Sequence, residues 1–221
     1  MRNLLMSICP YGIWGIVFCE SVIATLLYAL WHRKKQLIVL LGLLVTLGLI
    51  LDAVIIGLGT CLETGTLKAI SPVRFIAHGI LIPLLFPICG YALGFKKATM
   101  RVLWILTGIL MAAGAAEGVC TELEQREIAG VIRFASSAST PGWADMISRI
   151  LSFGTVIPMM IAGVIVWIRQ KTPYLFLSGF FMFAFSALGP ATGNADLIFF
   201  ISMFGELFMM LFLYLYVRNE V

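Results

Sequence analysis

Seven long apolar stretches, each too continuous to be a half-buried strand, constrain this chain more than any other feature. They run from Tyr11 to Trp31, Leu37 to Gly59, Pro72 to Gly94, Met100 to Thr121, Trp143 to Ile168, Tyr174 to Ala191 and Asp196 to Val217. A helix crossing a hydrocarbon core needs about 20 residues at a rise of about 1.5 Å each, and these runs match that length. A transmembrane barrel would alternate polar and apolar residues with a period of two, which they do not. With 61% hydrophobic and 12% charged residues, the chain carries about half the charge of a soluble domain. The expectation is one all-α integral membrane domain spanning residues 1–221, a seven-helix bundle embedded in the lipid bilayer.

Loop charge gives the direction of insertion, because Lys and Arg stay on the cytoplasmic side. His32, Arg33, Lys34 and Lys35 follow the first span, Lys96, Lys97 and Arg101 surround the start of the fourth, and Arg169 and Lys171 follow the fifth. The other side holds Glu63, Glu122, Glu124, Glu127, Asp145 and Asp196 against Arg2, Lys68, Arg126 and Arg133. The N-terminus is therefore expected outside and the C-terminus inside. The net charge of +4 is absorbed by this asymmetry and points to no nucleic-acid partner. Glu20 and Cys19 interrupt the place where a signal peptide would be cleaved, so the first apolar run is read as a retained span. Compact loops suit a bacterial plasma membrane.

The longest loop, Glu122 to Gly142, has helix-compatible apolar spacing in its first half, as an interfacial helix would, followed by a Ser-rich connector. The fourth span carries Gly114 and Gly118, a small-xxx-small pair that predicts close, central packing. Trp31-x-Arg33-x-Lys35 and Trp167-x-Arg169-x-Lys171 are a faint echo of an internal repeat. The five cysteines have no metal-ligand spacing and read as small hydrophobes, with Cys61 and Cys120 as a candidate disulfide at the outer ends of their spans.

Function is sought in the ionisable residues inside the spans, since each is costly in hydrocarbon. There are seven: Glu20, Asp52, Arg74, His78, Glu117, Arg149 and Glu206. Counted from the outer end of each span, Asp52 and Arg149 lie about 10 Å deep and Glu20 and Glu206 about 14 to 15 Å deep. Arg74 and His78 are four apart and share a helix face. All seven occupy the outer half, leaving the inner half only hydroxyls such as Thr25, Thr46 and Thr107. They are expected to surround a polar cavity open to the outside, with Glu20 and Glu206 as its floor. Gly189-Pro190-Ala-Thr-Gly193-Asn194 interrupts the helix beside it, as a tight turn or as freed carbonyls.

Asp52-Ala-Val-Ile-Ile-Gly-Leu-Gly59 followed by Pro72-Val-Arg74-Phe-Ile-Ala-His78-Gly-Ile-Leu-Ile-Pro83 resembles a pattern in bacterial multi-pass membrane proteins of unassigned function. The resemblance covers spans two and three and implies no activity. It does put Asp52, Arg74 and His78 ahead of the other charges.

Several chemistries lose support. A retinal protein needs a lysine in the bundle and a bis-histidine haem needs two membrane histidines, so no cofactor is expected. His78 with carboxylates is a weak metal set, and no metal site is assigned. The leading expectation is a protein that binds, and by extension transports, a small polar or cationic ligand in the outward-facing cavity. An enzyme built on Asp52 and His78, and a non-catalytic assembly or sensory subunit with an oligomeric or partner role, are the rivals.

Overall fold

The computed structural model describes residues 2–128, 130–191 and 195–220, with side chains described for residues 7–127, 130–188 and 200–219. The chain enters in α1 (Arg2–Lys34) and turns back at Lys35 into α2 (Leu37–Gly57), which ends in a 3-10 turn, Leu58–Thr60. Helix α3 (Thr64–Leu81) continues through a second 3-10 turn, Ile82–Leu84, into α4 (Leu85–Ala92). Helix α5 (Lys97–Cys120) leads to strands β1 (Leu123–Ile128) and β2 (Val131–Ser136), and α6 (Gly142–Gln170), α7 (Tyr174–Ala191) and α8 (Ala195–Glu220) complete the chain. Among the described residues, six helices are long and apolar enough to cross a membrane: α1, α2, α3 with α4, α5, α6 and α8. The apolar part of α7, Tyr174–Leu188, is shorter.

The break between α3 and α4 follows from Pro83, which has no N–H to donate and whose ring crowds the preceding turn. A single 3-10 turn absorbs the defect without ending the rod. The third span begins at Thr64, eight residues before the Pro72 start that apolarity alone suggested, because a polar first turn can still be helical above the hydrocarbon. Pro72 therefore lies inside α3.

One large core fills the end of the bundle near the basic loops, with Leu27, Val39, Leu85, Ile88, Met159, Val166, Met209, Leu213 and Tyr216 among its buried members. A smaller core at the other end joins Cys9, Ile13 and Ile16 of α1, Ala53 and Ile56 of α2, Met203 of α8 and Val131 of the hairpin. Helices α7 and α8 are joined by a run of phenylalanine rings, with Phe181 stacked on Phe212 at 5.2 Å and on Phe208 at 5.4 Å.

Three expectations are corrected. The Glu122 to Phe134 segment is an antiparallel hairpin pairing Leu123 with Ser136 and Ile128 with Val131, where an interfacial helix was expected. Gly130, at φ +81°, makes the reversal, and the β-branched Val131 and Ile132 favour the extended backbone over the helix. Helix α5 packs at the edge of the bundle against α3 and α6, with Val102, Ile105 and Ile109 exposed, so its small residues serve one crossing and not a central position. At that crossing a Cβ on Gly114 would meet the Gly79 backbone, and one on Gly118 would meet Ile76. Finally, all five cysteines are free thiols; Cys61 and Cys120 are exposed and unbridged.

Candidate functional site

The site begins with an ion pair between neighbouring helices. Arg74 Nε of α3 donates to Asp52 Oδ1 of α2 at 2.7 Å, and a second guanidinium nitrogen reaches Oδ2 at 3.3 Å. This is the planar two-point match that suits Arg to a carboxylate. Both side chains are largely withdrawn from solvent, at 10% and 14% exposure. The remaining terminal nitrogen of Arg74 donates to the Phe134 carbonyl of β2 at 3.2 Å. Arg74 thus ties α2, α3 and the hairpin together, and its guanidinium lies 5.2 Å from the Phe75 ring.

Gly59 lets the hairpin approach. A Cβ there would collide with the Ile132 carbonyl, so the strand is seated directly on the end of α2. Val131 is buried in the smaller core and Arg133 turns towards a cavity of about 250 Å³. Asp52, Arg74, His78, Glu117, Arg133 and Glu206 all line this cavity. Ser148, Leu151 and Ser152 of α6 and Ser202 and Met203 of α8 close its other walls. Glu117 accepts hydrogen bonds from Thr121, at 3.2 Å, and from Ser148. His78 stands within electrostatic range of both Asp52 and Arg74.

Of the seven residues singled out from the sequence, five line the cavity. Glu20 is fully buried on α1 but is not a wall residue; it lies within electrostatic range of Asp52 and Glu206. Both Glu20 carboxylate oxygens are buried without a hydrogen-bond partner among the described residues. Arg149 lies elsewhere: it is exposed and bonded to Asp145 one turn earlier on α6, at 3.0 Å. Matching depth placed it with the others, but depth says nothing about the direction around the helix axis. Trp143, Met146, Ile150, Phe153 and Ile157 mark the exposed face of α6, and Arg149 flanks it.

Arg133, Ser148, Ser152 and Ser202 also line the cavity and are not among the seven residues that the sequence singles out. The serines at 148 and 152 carried a usable signal, being four apart on the face of α6 opposite its large exposed apolar residues. Arg133 was hidden by reading its segment as helix. The Gly189 to Asn194 break is helical as far as Ala191, and residues 192–194 lie outside the described residues.

Among the described residues no three His, Cys, Asp or Glu side chains converge as metal ligands. The arrangement is a mixed-charge chamber with both Asp52 oxygens committed to Arg74. No family model matches the chain, and no curated protein matches it in sequence.

Proposed function

We propose that the protein is a seven-span protein of the plasma membrane, N-terminus outside, that binds a small polar or cationic ligand in an outward-facing cavity. The observation that carries this reading is the delivery of Asp52, Arg74, His78, Glu117, Arg133 and Glu206 from four helices and a hairpin to one cavity in an otherwise apolar bundle. Charged groups in a bundle interior are costly and mark ligand paths. The cavity wall carries three carboxylates, Asp52, Glu117 and Glu206, with Glu20 in electrostatic range of two of them, against two guanidiniums and one imidazole. That balance favours a cation.

Counting α7 as a span rests on its 18 residues, about 27 Å of helix, close to a hydrocarbon thickness of about 30 Å. The orientation is supported by the grouping of basic ends: Lys34 Nζ donates to the Arg218 carbonyl at 3.3 Å, bringing the first basic loop and the end of α8 to one side. The hairpin and the cavity occupy the other end. The large apolar core seals the cavity from the basic side, so transport requires a second arrangement of the helices. Arg74's hold on both Asp52 oxygens favours binding over an Asp/His acid–base pair, whose carboxylate would need to orient the imidazole.

Thermal unfolding of detergent-purified protein across a panel of small amines, inorganic cations and organic anions tests the reading. An amine that binds at one hundred times its Kd stabilises by about 2.7 kcal/mol, and Glu206→Gln is expected to remove that gain. A panel with no stabilising cation would overturn it.

A further inference from the structure

The cavity has a second compartment beneath it. A chamber of about 40 Å³ shares His78, Ser152 and Glu206 with the cavity wall. Its remaining surface is nearly all apolar, from Ile82 and Leu85 around the Pro83 turn, Val156 of α6, Met182 of α7 and Met209 of α8. Thr155, also at this wall, has its hydroxyl engaged by the Leu151 carbonyl at 2.8 Å. The two compartments thus differ sharply in chemistry, with a carboxylate at their junction.

A hydrated inorganic cation uses the upper compartment and leaves the lower one unfilled. A long acyl chain does not fit the lower one: at about 10 to 15 Å³ per water-sized group, a chamber of about 40 Å³ admits roughly three. Resting on the cation-binding reading above, we propose that the site selects a primary ammonium ion carrying a short unbranched tail of about three carbons. The ammonium donates hydrogen bonds to Glu206 at the junction, with Glu117 and the serines of α6 contributing to the polar side. The tail enters the chamber among Ile82, Val156, Met182 and Met209. A diamine of equal length would carry its second charge into the apolar chamber, so it is a poorer fit.

The test measures the affinities of methyl-, ethyl-, propyl-, butyl- and hexylammonium for the purified full chain by isothermal titration in lipid nanodiscs. Burying each methylene is expected to tighten binding roughly fourfold, up to propylammonium, after which affinity levels or falls. Val156→Ile, which fills the chamber by one methylene, is expected to move the optimum to a shorter tail, and Met182→Ala to a longer one. Methylammonium affinity of each variant is the reference against which its own tail series is read, and melting without amine shows that each variant is folded. Glu206→Gln should abolish binding of the whole series and so reports simple partition into lipid. Affinity that climbs steadily through hexylammonium, persists in Glu206→Gln, or keeps the same optimum in both chamber variants would overturn the proposal. If methylammonium binds and longer tails add nothing, the chamber assignment fails while the cavity reading stands; if no ammonium binds, the cavity reading fails as well.

Discussion

Arg74 makes three hydrogen bonds to two different elements, which gives the ion pair an unequal response to mutation of its two ends. Asp52→Asn leaves the guanidinium largely buried with its charge uncompensated, though one amide oxygen still accepts and the bond to Phe134 survives. Removing one partner of a buried pair costs about 3 to 5 kcal/mol, and the exposures of 10% and 14% place this pair near that regime. Arg74→Gln strands Asp52 and also releases the hairpin, adding about 1 to 3 kcal/mol for the Phe134 carbonyl if it stays buried. Arg74→Gln is therefore expected to be the more destabilising single change. In the double variant no charge is stranded, so the combined loss should fall below the sum by roughly 2 to 3 kcal/mol, within the range measured for contacting residues. Thermal or denaturant unfolding of the four proteins in one detergent reads the cycle, with about 2 to 4 °C expected per kcal/mol for a chain of this size. Additivity within about 0.5 kcal/mol would refute a direct contact. A larger loss in Asp52→Asn than in Arg74→Gln would refute the hairpin tie.

Gly59→Ala places a methyl group against the Ile132 carbonyl and should lift the hairpin, costing about 1 to 3 kcal/mol by melting, whereas Gly15→Ala meets no atom within 4 Å and should be neutral or slightly stabilising. Equal effects would remove the case for a seated hairpin. Gly114→Val at the α3–α5 crossing should separate the helices that carry His78 and Glu117, lowering the melting temperature and weakening amine binding together. Glu20→Met keeps the side chain's length and removes two buried oxygens without hydrogen-bond partners, so unfolding should show a gain of about 1 to 3 kcal/mol. A loss would mean that Glu20 engages another group in the folded protein. Cysteines placed at Lys35, Lys97 and Lys171 should resist an impermeant thiol reagent in intact cells, while those at Thr64 and Ser137 react; the reverse pattern would invert the topology.

The membrane helices were legible because continuous apolarity over about 20 residues has few other physical solutions. The fixed rise per residue assigns Asp52, Arg74, His78, Glu117 and Glu206 to the same half of the bundle, and these five line one cavity. Rotation about each axis was not read from charge positions alone, and Arg149 shows the consequence. The exposed row Trp143, Met146, Ile150, Phe153 and Ile157 held that information in its spacing of three and four. The hairpin was missed for a different reason. Glu122 to Ile128 is compatible with either backbone, and Gly130 with its β-branched successors decides the matter only once the strand can dock on Gly59. That contact joins residues more than 70 positions apart, beyond what local pattern can specify. The pairing of Arg74 with Asp52, which withdraws the carboxylate from His78, is likewise a product of how α2 and α3 cross.

Charge-selective access to the cavity tests the central claim most directly. In a background cleared of native cysteines, Ser152→Cys places a thiol on the wall common to both compartments. An impermeant trimethylammonium thiosulfonate is expected to react there from the outer side of intact cells faster than a sulfonate of similar size, by about tenfold or more after each rate is divided by that reagent's rate with a free thiol in solution. Propylammonium should slow that reaction, and Glu206→Gln should erase the charge preference. Equal rates for the two reagents, or reaction only from the cytoplasmic side, would contradict an outward-facing cation site.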